Sequence, residues 1–138
     1  MLDFEFYAPT RVLFGKESMK TLPEQLQKLG ASKVMLVHYG EGGPMAPVND
    51  AKALMDKAGI AYQEFSGIKP NPLLSRALEG VQFCKQENVD FILAVGGASV
   101  IDTAKAIAAG VKLKEGEDLW KGKQGPDEPY RSQAQAVV

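Results

Sequence analysis

A single cysteine and a single histidine are all that 138 residues offer of those two metal-binding side chains. One cysteine excludes an internal disulfide, and one of each cannot build a tetrahedral zinc site of the usual kind, so a chain-borne transition metal has no ligand set. No apolar run approaches the ~20 residues needed to cross a bilayer. The acidic start Met1-Leu2-Asp3 is unlike the basic opening of a signal peptide. Both features predict a cytoplasmic protein with no membrane partner. Charge of one sign is not in excess either: 16 Lys and Arg face 17 Asp and Glu, with no basic run interleaved with aromatics. A nucleic-acid partner therefore finds no electrostatic footprint.

What the chain does have is size for one domain, long enough to bury roughly 70% of its unfolded surface, and one stretch around which the rest is arranged. Val89 and the block Phe91-Ile92-Leu93-Ala94-Val95 form a short continuous apolar run, which suits a strand buried on both faces of a parallel sheet. After Gly96-Gly97 the period changes. Val100, Ile101, Ala104, Ile107, Ala108 and Val111 then fall on one helical face, giving a strand, a glycine turn and a helix.

The turn itself reads Gly96-Gly97-Ala98-Ser99. Without Cβ atoms the two glycines can bend sharply and leave bare backbone for a ligand. The first N–H groups of the following helix lack intrahelical acceptors and carry partial positive charge, so an anion is a natural guest. The same residues also fit a purely structural cap, with Ser99 as N-cap and Asp102 as its capping-box partner.

Strands and helices alternate elsewhere. Phe4 and Phe6, then Arg11 to Phe14, predict two short strands of an antiparallel ribbon, followed by a helix from about Ser18 to Leu29 with Leu22, Leu26 and Leu29 inward. Thr21 is its expected N-cap, with Pro23 in the first turn and Glu24 completing a capping box. Val34 to Val37 reads as a buried parallel strand leading into Tyr39-Gly40-Glu41-Gly42-Gly43, a loop suited to cofactor ribose or phosphate or merely to flexibility. His38, beside that loop, is expected to be satisfied by a nearby backbone group. Asn49 is the expected cap of a helix to about Ala58 with Leu54 and Met55 inward, and Gly59 its terminator. A strand from Ala61 to Ser66 follows. Pro70-Asn71-Pro72 predicts an extended turn opening a helix to about Glu87, on which Cys84 shares a core face with Leu74, Ala77, Leu78 and Val81. Beyond Gly110 a charged, Gly/Pro/Lys-rich segment is expected to form a loop, with a helical turn whose Trp120 packs on the sheet.

The string GGASVIDTAKAIA resembles the Gly-Gly-Gly-Ser-x-x-Asp-x-x-Lys pattern of the iron-containing (group III) alcohol dehydrogenases, in their butanol dehydrogenase-like branch. PTRVLFGKES at 9–18 and IKPNP at 68–72 extend the match in the family's order. Two departures stand out. The family's third glycine is Ala98 here, and the Tyr-Gly-Gly-Gly-Ser loop of that branch reads Tyr39-Gly40-Glu41-Gly42-Gly43. Residues Tyr130 to Val138 do not match the family's next apolar strand.

The resemblance implies a Rossmann-like α/β fold, a parallel sheet with helices on both faces and an N-terminal antiparallel ribbon, forming one dinucleotide-binding domain over residues 1–138. It implies NAD or NADP as cofactor, with Tyr39, Gly40, Gly42, Asn71, Gly96, Gly97, Ala98, Ser99 and Asp102 bordering it. Hydride transfer between an alcohol or aldehyde and the nicotinamide is the implied activity, and the Fe²⁺ or Zn²⁺ of full-length relatives belongs to a helical domain absent from this sequence. The chain alone is therefore expected to be inactive, with no catalytic or metal-binding residue of its own. A stand-alone nucleotide-binding module and a folded remnant of a truncated gene are the competing readings. Tyr39 at the strand end favours NADP while Glu41 would repel a 2′-phosphate, which leaves the cofactor open between the two. An uncovered partner interface of roughly 600–1,500 Å² and an open sheet edge predict a homodimer.

Overall fold

The computed structural model describes residues 10–113, together with the backbone of 136–137. A 3-10 turn at Ser18–Thr21 runs into α1 (Leu22–Lys28); then come β1 (Lys33–Val37), a second 3-10 turn at Gly40–Gly42, α2 (Ala46–Ala58) and β2 (Ala61–Phe65). The remaining elements are α3 (Leu74–Glu87), β3 (Phe91–Ala94), α4 (Ala98–Lys112) and β4 (Ala136–Val137). All strand pairs are parallel, in the order β2-β1-β3-β4.

The continuous apolar strands explain the layering. Side chains alternate across a strand, so a run without polar residues feeds both faces of the sheet. Met35, Val37, Ile92 and Ala94 turn to one side and pack with Ala77, Val81 and Cys84 of α3 and Val100, Ala104 and Ile107 of α4. Val34, Leu36, Phe91 and Leu93 turn to the other, against Leu22 and Leu26 of α1 and Val48, Ala51 and Met55 of α2. Each fully buried aliphatic, such as Leu26 or Ile107, contributes about 1.5–3 kcal/mol relative to exposure. Helices thus cover both faces.

Helix α3 packs on α4 through a stripe of small residues. A Cβ on Gly80 would fall 2.4 Å from Ile107 Cδ1, so only glycine lets the two helices approach this closely. This explains why Leu74 and Leu78, expected inward, are 41% and 46% exposed: the buried stripe is Ala77, Gly80, Val81 and Cys84. Cys84 is core as expected, its Sγ 3.2 Å from Met35 Sδ, and burial pushes the thiol up to about 11. Leu29 also turns outward, because α1 ends at Lys28 and Leu29 only caps it.

Several helix starts differ from the sequence reading. Thr21 makes no capping bond to α1; its hydroxyl donates back to the Ser18 carbonyl (2.7 Å), and Glu24 pairs with Lys28 instead of closing a box. Helix α2 begins three residues before Asn49, whose N–H already donates to the Met45 carbonyl at 2.8 Å. Gly59 terminates it in a left-handed conformation, as expected. Helix α3 begins at Leu74, two residues after Pro72: Leu73 stays extended and its carbonyl accepts the Arg76 and Ala77 N–H groups.

At the two ends of the described chain the outcomes diverge. Residues 10–14 form no strand, and with Val12 and Phe14 76% and 100% exposed they gain no burial that would order one. The other half of the expected ribbon, Phe4 and Phe6, lies outside the described residues, as does Trp120. Ala136–Val137, by contrast, does add a strand, pairing with Ile92 and Leu93. The edge of β3 expected to stand open is therefore covered at Ile92 and Leu93, where β4 pairs with it.

Candidate functional site

In a doubly wound sheet the crossovers from two neighbouring strands leave to opposite faces at one place, and the loops there part to form a crevice beyond the carboxyl ends of the strands. Here that place lies between β1 and β3. The chain leaves β1 towards α2 on one face and leaves β3 towards α4 on the other. The crevice is thus bordered by Tyr39 and Gly40 on one side and by Gly96, Gly97 and Ala98 on the other.

On the β3 side the turn is bare. Gly96, Gly97 and Ala98 are exposed, and α4 begins at Ala98. Its N-cap is Gly97 rather than Ser99: the extended Gly97 gives its carbonyl to the N–H groups of Val100 (3.0 Å) and Ile101 (3.1 Å). Ser99 is instead the second helical residue, and its carbonyl accepts the buried Thr103 hydroxyl at 2.7 Å. Ala98 and Ser99 are consequently left with N–H groups that have no acceptor within the helix, on a helix of 15 residues whose dipole adds to them. The arrangement can receive an anionic oxygen, provided the Ala98 methyl leaves room.

Across the crevice the β1 side is crowded. Tyr39 is half-buried, and its ring lies against the glycine turn: a Cβ on Gly96 would be 3.2 Å from Tyr39 Cε2, and one on Gly97 3.1 Å from the phenol oxygen. Gly43 backs the same ring, since a Cβ there would fall 2.7 Å from Tyr39 Cβ. Gly40 adopts φ +79°, a left-handed conformation natural to glycine, and Gly42 closes the 3-10 turn in open space. The glycines of both loops thus accommodate Tyr39 as well as any ligand.

His38 is 2% exposed and is satisfied by the backbone as expected, its Nδ1 accepting the Gly40 N–H at 3.1 Å. Two residues not singled out in the sequence complete its surroundings. Nε2 lies 3.1 Å from Glu64 Oε2, and Lys52 Nζ donates to Glu64 Oε1 at 2.6 Å. The Lys52 hydrogen bond, followed by the opposing effect of desolvation, leaves the Glu64 carboxyl below its ordinary value of 4.5. No spacing rule could have found this pair. Glu64 reaches His38 only because β2 lies beside β1 with Leu36 opposite Glu64.

Asn71 and Asp102 take no part in these hydrogen bonds. Both are exposed, and neither makes a side-chain hydrogen bond among the described residues. Asn71 has φ +59°, which asparagine tolerates better than most residues. A pocket of about 140 Å³ lies beside its loop, lined by Gly67, Ile68, Leu73, Arg76 and Thr103. A larger concavity of about 740 Å³ lies between residues 11–17 and α1, and no residue of the crevice lines it. No group of three or more His, Cys, Asp or Glu among the described residues could hold a metal ion, and no helix there is long and apolar enough to cross a membrane. The iron or zinc of the resemblance does not fit the described residues: the sole imidazole has both nitrogens engaged.

A parallel, doubly wound sheet with a bare glycine turn at its switch point defines a Rossmann-like α/β unit. Comparison with known proteins makes the assignment specific. Residues 9–137 match the family model for iron-containing alcohol dehydrogenase. NADH-dependent butanol dehydrogenase A of Clostridium acetobutylicum is 40% identical over 112 residues, covering 80% of this chain and 28% of that protein. An NADPH-dependent aldehyde reductase of Escherichia coli is 36% identical over 121 residues, 87% of this chain and 30% of the relative. The crystal structure of NADH-dependent butanol dehydrogenase A from Thermotoga maritima superposes with a TM-score of 0.77 at 35% identity, over 86% of this chain and 30% of that one. The chain belongs to the iron-containing alcohol dehydrogenase family, and it spans about 30% of the length of relatives such as these.

Proposed function

We propose that residues 1–138 form a single domain that binds NAD or NADP, the nucleotide part of an iron-type alcohol dehydrogenase. In that role the hydride passes between an alcohol or aldehyde and the nicotinamide only when the remainder of the family's chain is present. The observation that carries this reading is the exposed Gly96-Gly97-Ala98 turn, with its two free amides at the β1–β3 switch point. Ala98 and Ser99 would offer N–H groups to the pyrophosphate. Gly96 and Gly97 would supply close approach, and Tyr39, Gly40 and Gly42 would border the nucleotide from across the crevice. Asn71 and Asp102 would join from the flanks.

The named relatives include an NADH user and an NADPH user, so both cofactors belong in the test. Calorimetric titration of each into the purified chain should give binding, tighter for one than the other; no heat with either at millimolar concentration would refute the reading. Fe²⁺ or Zn²⁺ would be held by parts of the family's chain outside this sequence, where the metal polarises the substrate oxygen. Self-association as a homodimer would use a sheet edge, such as the outer edge of β2, or the face that meets the rest of the family's chain. Light scattering behind a sizing column should find twice the 14.9 kDa of one chain, and a monomer at high micromolar concentration would contradict it.

A further inference from the structure

The buried imidazole of His38 sits where the sheet ends and the crevice begins, and its proton is located by geometry. A backbone N–H can only donate, so Nδ1, 3.1 Å from the Gly40 nitrogen, must be the unprotonated acceptor. In the neutral ring the proton then lies on Nε2, facing the Glu64 carboxylate at 3.1 Å, and Lys52 holds the far oxygen of that carboxylate. An ordered chain results: ammonium, carboxylate, imidazole, Gly40 amide. Two backbone bonds run alongside it, from the His38 N–H to the Phe65 carbonyl and from the Gly67 N–H to the Tyr39 carbonyl, each 3.2 Å.

We infer that His38 is a positioning residue of the crevice: its fixed tautomer holds Gly40 in the left-handed conformation and thereby sets Tyr39 against the Gly96-Gly97 turn. Of the two backbone ties, one anchors residue 38 and the other residue 39. Neither reaches Gly40: its carbonyl accepts the Gly43 N–H within the 3-10 turn at 3.1 Å, and its N–H, which orients the peptide joining it to Tyr39, donates to the imidazole. Tyr39 precedes this residue directly, and its ring is confined between Gly43 and the turn. A rotation of the Gly40 peptide would therefore move the wall against which a nucleotide has to fit. The effect on binding rests on the dinucleotide reading; the positioning itself does not.

Two substitutions separate the roles of the ring nitrogens. Asparagine places an amide oxygen near the position of Nδ1 and can still accept the Gly40 N–H, whereas glutamine reaches towards Nε2 and Glu64 but leaves that N–H unpaired. His38→Asn should preserve slow hydrogen exchange at the Gly40 amide and keep the NADH or NADPH dissociation constant within about twofold, while His38→Gln should lose the protection and weaken binding about tenfold. Equal behaviour of the two variants, or protection intact in His38→Gln, would overturn the inference. Long-range ¹H–¹⁵N correlation on the unaltered chain gives a test that no folding defect can obscure: the proton is expected on Nε2, and finding it on Nδ1 would refute the assignment. Should the unaltered chain bind neither dinucleotide, the functional reading falls, but the exchange and tautomer measurements still decide the role of His38.

Discussion

The two walls of the crevice are built on opposite plans. The turn after β3 is exposed backbone leading into a long helix, with Gly97 presenting its carbonyl to α4 and its open side to solvent. The loop after β1 is a tied structure, in which His38, Glu64 and Lys52 fix Gly40 while Tyr39 is wedged between glycines. Bare backbone can meet an anion but cannot by itself define where that anion stops. A fixed aromatic wall can define it but offers no amide. Their juxtaposition explains why glycine is needed on both sides, and for different reasons.

Substitutions at these glycines should pull the two plans apart. The largest effect is expected from Gly96→Ala. Its new Cβ would lie 2.7 Å from Cγ2 of the buried Val100 and 3.2 Å from the half-buried Tyr39 ring packed beside it, and such overpacking costs about 1–3 kcal/mol in urea denaturation. Gly97→Ala meets only the tip of Tyr39 at 3.1 Å, so its stability should stay within about 0.5 kcal/mol of wild type while dinucleotide affinity falls. If both variants lost stability equally, the turn would be structural throughout and the contrast would fail.

Next comes Gly40→Ala on the tied wall. With φ at +79° and nothing closer than 3.5 Å to the added carbon, the cost is conformational rather than steric, about 1 kcal/mol. A neutral result would mean that the loop relaxes and is not held by the imidazole. Ala98→Gly tests the other wall in the favourable direction. Removing the methyl from the first residue of α4 should tighten dinucleotide binding several-fold by calorimetry, and unchanged affinity would place the pyrophosphate elsewhere.

The smallest effect concerns the ion pair behind His38. Because the Glu64 carboxyl titrates below its ordinary 4.5 in the folded chain, principally through its hydrogen bond from Lys52, its contribution is complete above pH 4.5 and is lost as pH falls through the lowered folded value. The pair is partly solvated, so Glu64→Gln should cost below about 1 kcal/mol at pH 7. That difference should shrink in acid, and a gap that widens below pH 4.5 would contradict the assignment of the shift to this pair.

Much of the fold was legible because burial on both faces of a parallel sheet writes itself as uninterrupted apolar runs, as at Val34–Val37 and Phe91–Ala94. The glycine turn was equally plain, since the hydrophobic period changes across it. Helix starts were not. Asn49 and Ser99 are good capping residues in isolation, yet Met45 and Gly97 cap their helices earlier, with Pro47 in the first turn of α2, where backbone geometry outweighs the side-chain signal. Leu74 and Leu78 misled for a related reason: Gly80 brings α4 so close that small residues, and not leucines, form the contact. Neither the Glu64–His38 contact nor the pairing of Ala136–Val137 with β3 could be read from spacing, since both depend on register between strands distant in sequence.

On the proposed function, the turn between β3 and α4 receives a dinucleotide. The most direct test is ¹H–¹⁵N correlation spectroscopy of the labelled chain during titration with NADH and, separately, NADPH. The amides of Gly97, Ala98 and Ser99 are expected to shift first and furthest, followed by Tyr39 and Gly40 across the crevice. Shifts confined to residues 11–28 around the larger concavity, or none at all with either cofactor, would contradict it.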